Sequence, residues 1–436
     1  MQFPSLFLLA LKYLLRYRRR YLFLAAALCI GFGIVTVIVT QKDGMVESVY
    51  DSAQSHYAGD IVLEGLDKDS ERERHMDFGT VSSIIKAIDD SGIRYTHIVK
   101  RMILMSYERL YYNGASLDLK YTVGIDWDNE KGYLASLVWR DGVYDKLADD
   151  TIYISAPIAS RLGAVRGDSL VMEVLTRYDQ KNTGSFVIGG IIEDYSLFGF
   201  YKIYVSRKTL NRLAEFEEED ASHVGIFLPA KTDVDDARDA VYQELRQWIN
   251  VAPPPQDRDE WGVQKDESWS GIRVFPLTLD VYLSEVSQIL EAMNLLTYFL
   301  YVVMLLIILV SAVVTYRLIL HERVRELGTM RAIGFKGRDI RLVLILEALV
   351  LATLSLIAGV VLSLAVNGAL SRLSFTWIPS FEIFMKNGRL AARYSGGPLA
   401  FNALAVYSML VMAVWFPAFA ASRQHLPEML TAGPKG

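Results

Sequence analysis

Four stretches of this sequence are long and apolar enough to cross a lipid bilayer, and they constrain the fold more than any other feature. Residues 21–40, 293–316 and 398–422 contain no charged side chain, and residues 342–366 contain only one, Glu347. At about 1.5 Å per residue, a helix of roughly 20 residues crosses a hydrocarbon core of about 30 Å. The sequence therefore predicts four transmembrane helices.

The first apolar run, 21–40, has a competing interpretation as a cleaved signal peptide. Such a peptide has a shorter apolar region that ends in small residues at a cleavage site. Here the run is of full length and passes into a polar stretch, 42–47, without such a site. We therefore predict an uncleaved anchor, preceded by a basic N-terminal segment of 20 residues.

The distribution of basic residues predicts the topology. Segments 1–20, 317–341 and 423–436 together hold fourteen Lys or Arg, and the positive-inside rule assigns short basic segments to the cytoplasm. Both termini are then cytoplasmic. Segments 41–292 and 367–397 are extracytoplasmic, although the second carries four bases against the trend.

The long segment 41–292 has the pattern of a folded α+β domain. Runs rich in β-branched residues predict strands at 61–64, 121–125, 151–155, 169–175, 185–192, 201–206 and 223–228. Helices are predicted at 78–90, 156–162, 207–218 and 233–249, with stalk helices at 43–57 and 281–291 and an exposed Pro-rich loop at 251–262. The predicted fold class is a membrane protein with four transmembrane helices and a large extracytoplasmic α+β domain inserted between helices 1 and 2.

The loop between the second and third spans, residues 317–341, is predicted to be folded. It holds seven Lys or Arg, and Val324, Leu327, Met330 and Ile333 recur at helical spacing. Gly334 follows at the position where a helix C-cap glycine is common. We expect a short amphipathic helix, parallel to the membrane, whose apolar side carries Val324, Leu327, Met330 (or Arg331) and Ile333.

This loop also carries a family resemblance. GluArgValArgGluLeuGlyThrMetArgAlaIleGly (322–334), followed by ArgAspIle (338–340) and LeuGluAla (346–348), resembles the signature of FtsX-like ABC-transporter permeases, which include MacB and LolC/LolE. Segments 123–126, 154–170 and 189–194 resemble the periplasmic core domain of the same permeases.

The resemblance implies two sets of site residues. The residues implied to couple the permease to an ATPase are Glu322, Arg323, Arg325, Glu326, Leu327, Gly328, Met330, Arg331, Ala332, Ile333, Gly334 and Asp339. The further signature positions are Asp43, Gly44, Glu347 and Pro427.

Glu347 is the one ionisable group inside a predicted span. A carboxylate there is costly unless it is paired or near the interface. At the second turn of its span it can face the cytoplasmic interface or pair with Arg341 or Arg338. We expect it to be a structural partner of the loop helix, with a proton-relay role as the alternative. Small-residue patterns at 31–33 and 359–363 allow close helix contact, either within the chain or at a dimer seam.

No catalytic, cofactor-binding or metal site is predicted. No P-loop GxxxxGK[ST] motif occurs, the six His are scattered, and Cys29 is the only cysteine. If ATP drives the protein, ATP and Mg²⁺ are expected in a partner subunit. Because only 20 residues precede the first span, the resemblance favours LolC/LolE-type permeases over MacB, whose ATPase domain is fused ahead of that span.

The resemblance implies a non-enzymatic permease subunit of a mechanotransmitting ABC transporter in the bacterial cytoplasmic (inner) membrane. Its expected partners are a LolD-like ATPase, a second permease copy or paralogue, the lipid bilayer and a lipoprotein or other amphiphile as cargo, with no nucleic acid. The alternative is an FtsX-like transmitter that regulates a cell-wall hydrolase or a sensor. Apolar surface near the stalk segments would favour lipid binding over protein docking.

Overall fold

The computed structural model describes residues 3–16, 18–69, 74–105, 107–144, 148–193, 202–375, 384–385 and 389–423. The chain divides into two compact units. The first comprises Met1–Met45, Glu291–Leu373 and Leu390–Gly436, and we call it the helical unit. The second comprises Val46–Leu290 and Ser374–Arg389, and we call it the sheet unit.

Within the described ranges there are thirteen helices. They are α1 Phe3–Arg16, α2 Arg18–Tyr57, α3 Phe78–Asp90, α4 Lys131–Ser136, α5 Ala156–Leu162, α6 Arg207–Leu213, α7 Val234–Leu245, α8 Arg258–Asp266, α9 Leu279–Tyr282, α10 Ser284–Glu322, α11 Val324–Ala332, α12 Gly337–Leu370 and α13 Gly396–Arg423.

Twelve strands are present over the same residues. They are β1 Ile61–Asp67, β2 His97–Leu104, β3 Arg109–Tyr112, β4 Ala115–Asp118, β5 Tyr121–Ile125, β6 Trp139–Asp141, β7 Thr151–Ser155, β8 Ser169–Leu175, β9 Lys181–Ile192, β10 Lys202–Ser206, β11 His223–Phe227 and β12 Ile272–Thr278.

The helical unit is built on four helices that are long and apolar enough to cross a membrane: α2, α10, α12 and α13. Their facing sides form one core, and their other sides expose large apolar residues such as Leu295, Val310 and Leu354. Exposed apolar side chains in this number suit contact with lipid. Together with the mixed domain between the first and second of these helices, they confirm the predicted fold class.

Close contact between α2 and α12 depends on two glycines. A Cβ at Gly33 would lie 3.2 Å from the carbonyl oxygen of Gly359, and a Cβ at Gly359 would lie 2.9 Å from that of Cys29. The glycines therefore let the two backbones approach closely. The small-residue patterns in the sequence serve packing within the chain.

The sheet unit contains one mixed sheet in the order β12-β1-β11-β2-β5-β10-β7-β9-β8-β3-β4, with β6 paired to β9. Only the pairs β5–β10 and β7–β9 are parallel. Helices α3 and α7 pack over the β1–β11 region, and α5 and α6 over the β7–β10 region. The seven predicted strands are confirmed, and so are the four predicted helices, although α6 and α7 end at Leu213 and Leu245, before their predicted ends.

Several features of the sheet unit differ from the sequence-based expectation, and β3, β4, β6 and α4 were not predicted. Strand β2 was not predicted because Lys100 and Arg101 interrupt its apolar pattern, yet Arg101 is buried against Glu130. The edge strand β12 was also missed. The predicted loop 251–262 is wrong from residue 258, because Asp257 accepts a hydrogen bond from the Glu260 amide and caps α8.

Candidate functional site

The basic loop, residues 317–341, comprises the end of α10, the short helix α11 and the start of α12. Arg323 separates α10 from α11, and its amide still donates to the carbonyls of Ile319 and Leu320. At the other end the Phe335 amide donates to the Met330 carbonyl, and Gly334 has φ +104°. This is the C-terminal cap that the glycine predicted, because a left-handed residue ends the helix while its last carbonyls keep partners.

One side of α11 is packed into the core of the helical unit. Leu327 and Met330 are buried and join the cluster formed by α2, α10 and α12, and Gly328 is also buried. Val324 packs against the same cluster. The prediction for Ile333 is wrong: its side chain is 75% exposed, because the helix ends before Ile333 can turn towards the core.

The other side of the basic loop is accessible. From residue 322 to residue 341 the exposed residues are Glu322, Arg325, Thr329, Ala332, Ile333, Gly334, Lys336 and Arg338. Arg331 and Glu326 are partly buried, and Asp339 accepts a hydrogen bond from the Lys336 amide at the start of α12. The loop thus presents a mixed charged surface with a large apolar side chain at one end.

A buried polar cluster holds α11 to two of the long helices. One guanidinium nitrogen of Arg323 lies 2.8 Å from Glu347 Oε2 and 3.1 Å from the Tyr21 hydroxyl, and the other lies 3.3 Å from Glu347 Oε1. The Tyr21 hydroxyl donates to Glu347 Oε2 at 2.6 Å. Arg323 and Glu347 are 1% and 0% exposed. The cluster therefore joins α2, α11 and α12 through one charge pair.

The surroundings of Arg323 favour its charged form. Burial alone would lower the pKa of this guanidinium, but the Glu347 carboxylate raises it, and the net direction is upward. The ring of Tyr13 in α1 stacks 4.4 Å from the guanidinium carbon, which adds a cation–π contact. A buried pair of this kind is expensive to break, since either partner alone would be an uncompensated charge.

The expected pairing of Glu347 with Arg338 or Arg341 is wrong. Arg338 is exposed, and Arg341 donates to the Gly337 carbonyl and lies over the Phe419 ring. Arg323 takes their place because the break between α10 and α11 turns its side chain inward. Tyr21 and Tyr13 were not singled out from the sequence; the only signal was their position beside the basic N-terminal residues.

The structure does not bring every predicted site residue together. Asp43 and Gly44 lie some 22 residues along α2 from Tyr21, about 33 Å along the helix axis. A Cβ at Gly44 would lie 1.7 Å from the Ala391 carbonyl oxygen, so a side chain at this position would clash with the 390–394 segment. Asp43 forms an ion pair with Lys42 at 2.7 Å. Pro427 lies outside the described residues.

Near Asp43 the helical unit contains a cavity of about 390 Å³. It lies among α2, α10 and the start of α13, and its lining includes Lys42, Tyr298, Tyr301 and Phe401. Aromatic rings beside a charged pair form an amphipathic surface. The cavity is thus a second candidate site, far along α2 from the basic loop.

Comparison with known families identifies the part of the chain that contains the basic loop. Residues 298–426 match the model of the FtsX-like permease C-terminal domain. These residues form an FtsX-like permease domain. The resemblance predicted from the loop is confirmed over this range, and FtsX-like permeases are transmembrane components of ABC transporters. No curated protein matches the sequence of the chain.

Two solved structures are similar to part of this chain. One is the periplasmic region of MacB from Actinobacillus actinomycetemcomitans, with 12% identity, a TM-score of 0.30, and coverage of 43% of this chain and 82% of that one. The other is a domain of a protein named as a permease from Porphyromonas gingivalis, with 15% identity, a TM-score of 0.27, and coverage of 44% and 80%.

Proposed function

We propose that this chain is the permease subunit of a mechanotransmitting ABC transporter, driven by separate ATPase subunits that bind the basic loop. The observation that carries the proposal is the construction of that loop. Its outer side is exposed and ends in Ile333, while its inner side is fixed to the spans by Leu327, Met330 and Arg323. A push on the outer side would therefore be passed to the spans rather than absorbed by a flexible loop.

The transmitted movement would reach α2 and α12 first. Tyr21 belongs to α2 and Glu347 to α12, and both bond to Arg323. Helix α2 is continuous from Arg18 to Tyr57, so its residues belong to both units. Displacement of its first turns would be carried along one helix towards the sheet unit. This arrangement is better suited to a mechanism that transmits movement along the helices than to one that conducts cargo through a channel.

The expected assembly contains two permease subunits, identical or paralogous, and two LolD-like ATPases. It resides in the bacterial cytoplasmic membrane with the basic loop and both termini in the cytoplasm and the sheet unit outside. ATP and Mg²⁺ bind the ATPases, and this chain itself carries no cofactor. The proposed reaction is thus ATP hydrolysis in one subunit coupled to movement in another.

The proposed cargo is a lipoprotein or another amphiphile. The 390 Å³ cavity supports this choice, since Tyr298 and Phe401 offer apolar contact for an acyl chain and Lys42 and Asp43 offer polar contact for a headgroup. A photoreactive residue replacing Phe401 would test the proposal by crosslinking to an acyl-chain cargo. A photoreactive residue replacing Val310, on the exposed side of α10, is the matched control that reports bulk lipid only.

The coupling proposal is tested by Ile333→Asp. A charge at the exposed end of α11 should weaken ATPase binding and lower transport-coupled ATP hydrolysis at least tenfold, while leaving the fold intact. Val263→Asp, at a similarly exposed position on α8, makes the same chemical change in the sheet unit and should leave ATPase binding unchanged. Equal binding by the two variants would contradict the proposal.

The alternative function, regulation of an extracytoplasmic protein, has its own support in the sheet unit. The apolar stalk residues Val49, Ala53, Leu279 and Leu283 pack against one another instead of forming an exposed apolar groove. A cavity of about 270 Å³ beside them is lined mainly by polar residues, among them Ser52, Asp51 and Lys202. This polar surface is better suited to binding a protein than to binding acyl chains. Pull-down of a soluble cell-wall hydrolase, abolished by Asp51→Arg, would favour this function.

A further inference from the structure

The 270 Å³ cavity lies wholly within the sheet unit, and the coupling proposal makes no use of it. One wall is the part of α2 that belongs to the sheet unit, and other walls come from α4 and the end of β9. Pockets for drug-sized ligands measure about 300–1,000 Å³. A cavity of this volume therefore suits a ligand somewhat smaller than a drug molecule.

Three charged side chains line this cavity, one basic and two acidic. Lys202 is only 4% exposed, and its Nζ lies 6.0 Å from the centre of the Tyr204 ring. The Tyr204 hydroxyl lies 2.6 Å from that of Tyr133, which also lines the cavity. Asp51 is exposed and Glu193 is partly buried. A ligand of this cavity thus meets one positive group deep in the protein and two negative groups nearer to solvent.

The remaining lining combines hydroxyl groups with aliphatic side chains. Ser52, Ser55 and Ser136 offer hydroxyls, which can donate to a carboxylate and accept from an ammonium group. Leu137 and Ile192 offer apolar surface, against which a short hydrocarbon chain can be buried. The lining is therefore complementary to a small molecule that carries charged groups on an aliphatic chain.

We infer that this cavity binds a free diamino acid, with its carboxylate at Lys202, its two ammonium groups at Asp51 and Glu193, and its aliphatic chain against Leu137 and Ile192. Such a ligand has one negative and two positive groups, so each charge of the cavity meets its opposite in a charge-assisted hydrogen bond. An amino acid with an uncharged side chain would leave one acid unmatched, and a diamine would leave Lys202 unmatched. The inference goes beyond the proposed coupling function and does not depend on it.

The ligand would connect the end of α2 to α4. Arg101 already makes one such connection, because it donates to the carbonyls of Ser55 at 2.8 Å and His56 at 3.2 Å and pairs with Glu130, the residue before α4. A ligand that contacts both walls would add a second connection. Adding L-lysine should therefore slow hydrogen exchange at the end of α2 and in α4. Binding without this protection would contradict a ligand position between the two helices.

The choice of ligand is tested by isothermal titration of the full chain in lipid nanodiscs without any partner subunit. L-lysine should bind at least tenfold more tightly than L-norleucine, which lacks the side-chain ammonium group, and than cadaverine, which lacks the carboxylate. N-acetyl-L-lysine, whose α-nitrogen is an amide as in a peptide, should also bind at least tenfold more weakly. No binding of L-lysine, or equal binding of L-norleucine, would overturn the inference. Equal binding of N-acetyl-L-lysine would overturn the free amino acid in favour of a peptide end.

The roles of the charged residues are tested by comparing L-lysine with cadaverine in two variants. Lys202→Met should weaken binding of L-lysine at least tenfold and leave binding of cadaverine unchanged, because only L-lysine has a carboxylate. Asp51→Asn/Glu193→Gln should weaken binding of both. Equal losses of both ligands in Lys202→Met would contradict a carboxylate at Lys202.

A third variant tests the location without removing a buried charge. Ser136→Trp fills the cavity from an exposed position and should abolish binding of L-lysine, whereas Ser82→Trp, at an exposed position on α3 outside the lining, should bind like the original chain. Full binding by Ser136→Trp, or equal loss in both variants, would overturn the site. Since no ATPase is present, failure here is separable from failure of the coupling proposal.

Discussion

At the scale of single residues, the ion pair Arg323–Glu347 explains how two charged residues of the family motif are accommodated in the core of a membrane domain. Each side chain alone would be a buried charge, but together with Tyr21 they satisfy one another. The sequence revealed that Glu347 needs a partner, because it is the only charge in its span. It did not reveal which partner, since Arg338 and Arg341 are nearer in sequence and only the break at Arg323 decides between them.

Removing either member of this pair should destabilise the helical unit strongly. Glu347→Ala or Arg323→Met leaves an unpaired buried charge or hydrogen-bonding group, at a cost of about 3–5 kcal/mol. The double variant Arg323→Met/Glu347→Leu should recover most of that loss, because an apolar replacement of both removes the charge altogether. Thermal melting in detergent measures the effect, and the exposed variant Arg338→Met is the control. A Glu347→Ala variant that melts like the original protein would be incompatible with the pair.

Two glycines offer a matched test of backbone conformation. A methyl group would meet open space at both Gly334 and Gly368, but Gly334 has φ +104° whereas Gly368 lies inside α12. Gly334→Ala should cost about 1–2 kcal/mol, and Gly368→Ala should add up to about 1 kcal/mol of helix stability. Melting temperatures should move in opposite directions. Shifts of the same sign would show that φ at Gly334 is not what the substitution perturbs.

At the scale of secondary-structure elements, a strand or helix could be predicted when its own residues form a local pattern, and was missed when a distant residue stabilises it. Strands such as β7 and β8 were predictable because each is a short run of β-branched and other apolar residues that follows turn residues, Asp149–Asp150 and Gly167–Asp168. Strand β2 was not, since Arg101 lies in its middle and is buried only because Glu130, far along the chain, neutralises it. Helix α1 was also missed, because the basic residues around it suggested only a charged terminus. The capped end of α11 was predictable from Gly334 alone.

A second buried charge cluster in the sheet unit predicts acid sensitivity. Burial alone would raise the pKa of Glu64, but Arg74, His223 and Tyr282 lower it, and the net direction is downward. Tyr282 donates to Glu64 Oε2 at 2.8 Å, and Arg74 lies 3.0 Å from Oε1. A carboxyl whose pKa is lower in the folded chain stabilises the fold above its ordinary pKa, and this stabilisation is lost as pH falls towards the folded value.

Glu64→Gln should therefore melt well below the original protein at neutral pH, and the gap should narrow as pH falls below about 4.5, the ordinary pKa of a glutamate. Tryptophan fluorescence follows the transition, since Trp261 packs beside Tyr282. Glu218→Gln, at an exposed position, should follow the original protein at every pH. A Glu64→Gln gap of constant size from neutral to acid pH would show that ionised Glu64 does not stabilise the fold.

At the scale of the whole molecule, the helical unit and the sheet unit share two helices, α2 and α10, whose residues belong to both units. The sequence anticipated the four spans and the inserted domain because hydropathy and β-branched runs are local signals. The partner of Glu347 and the exposure of Ile333 depend on which helices pack together, and no local pattern encodes that. The coupling proposal requires the basic loop and the sheet unit to lie on opposite sides of the membrane.

Single-cysteine labelling in a Cys29→Ser background tests that requirement most directly. Ala332→Cys reports the basic loop, and Lys208→Cys, at an exposed position on α6, reports the sheet unit. An impermeant maleimide should label Lys208→Cys in intact spheroplasts, and should label Ala332→Cys only in inside-out vesicles stripped of peripheral subunits. Labelling of both cysteines from the same side would leave no route from a cytoplasmic ATPase to the sheet unit and would contradict the account.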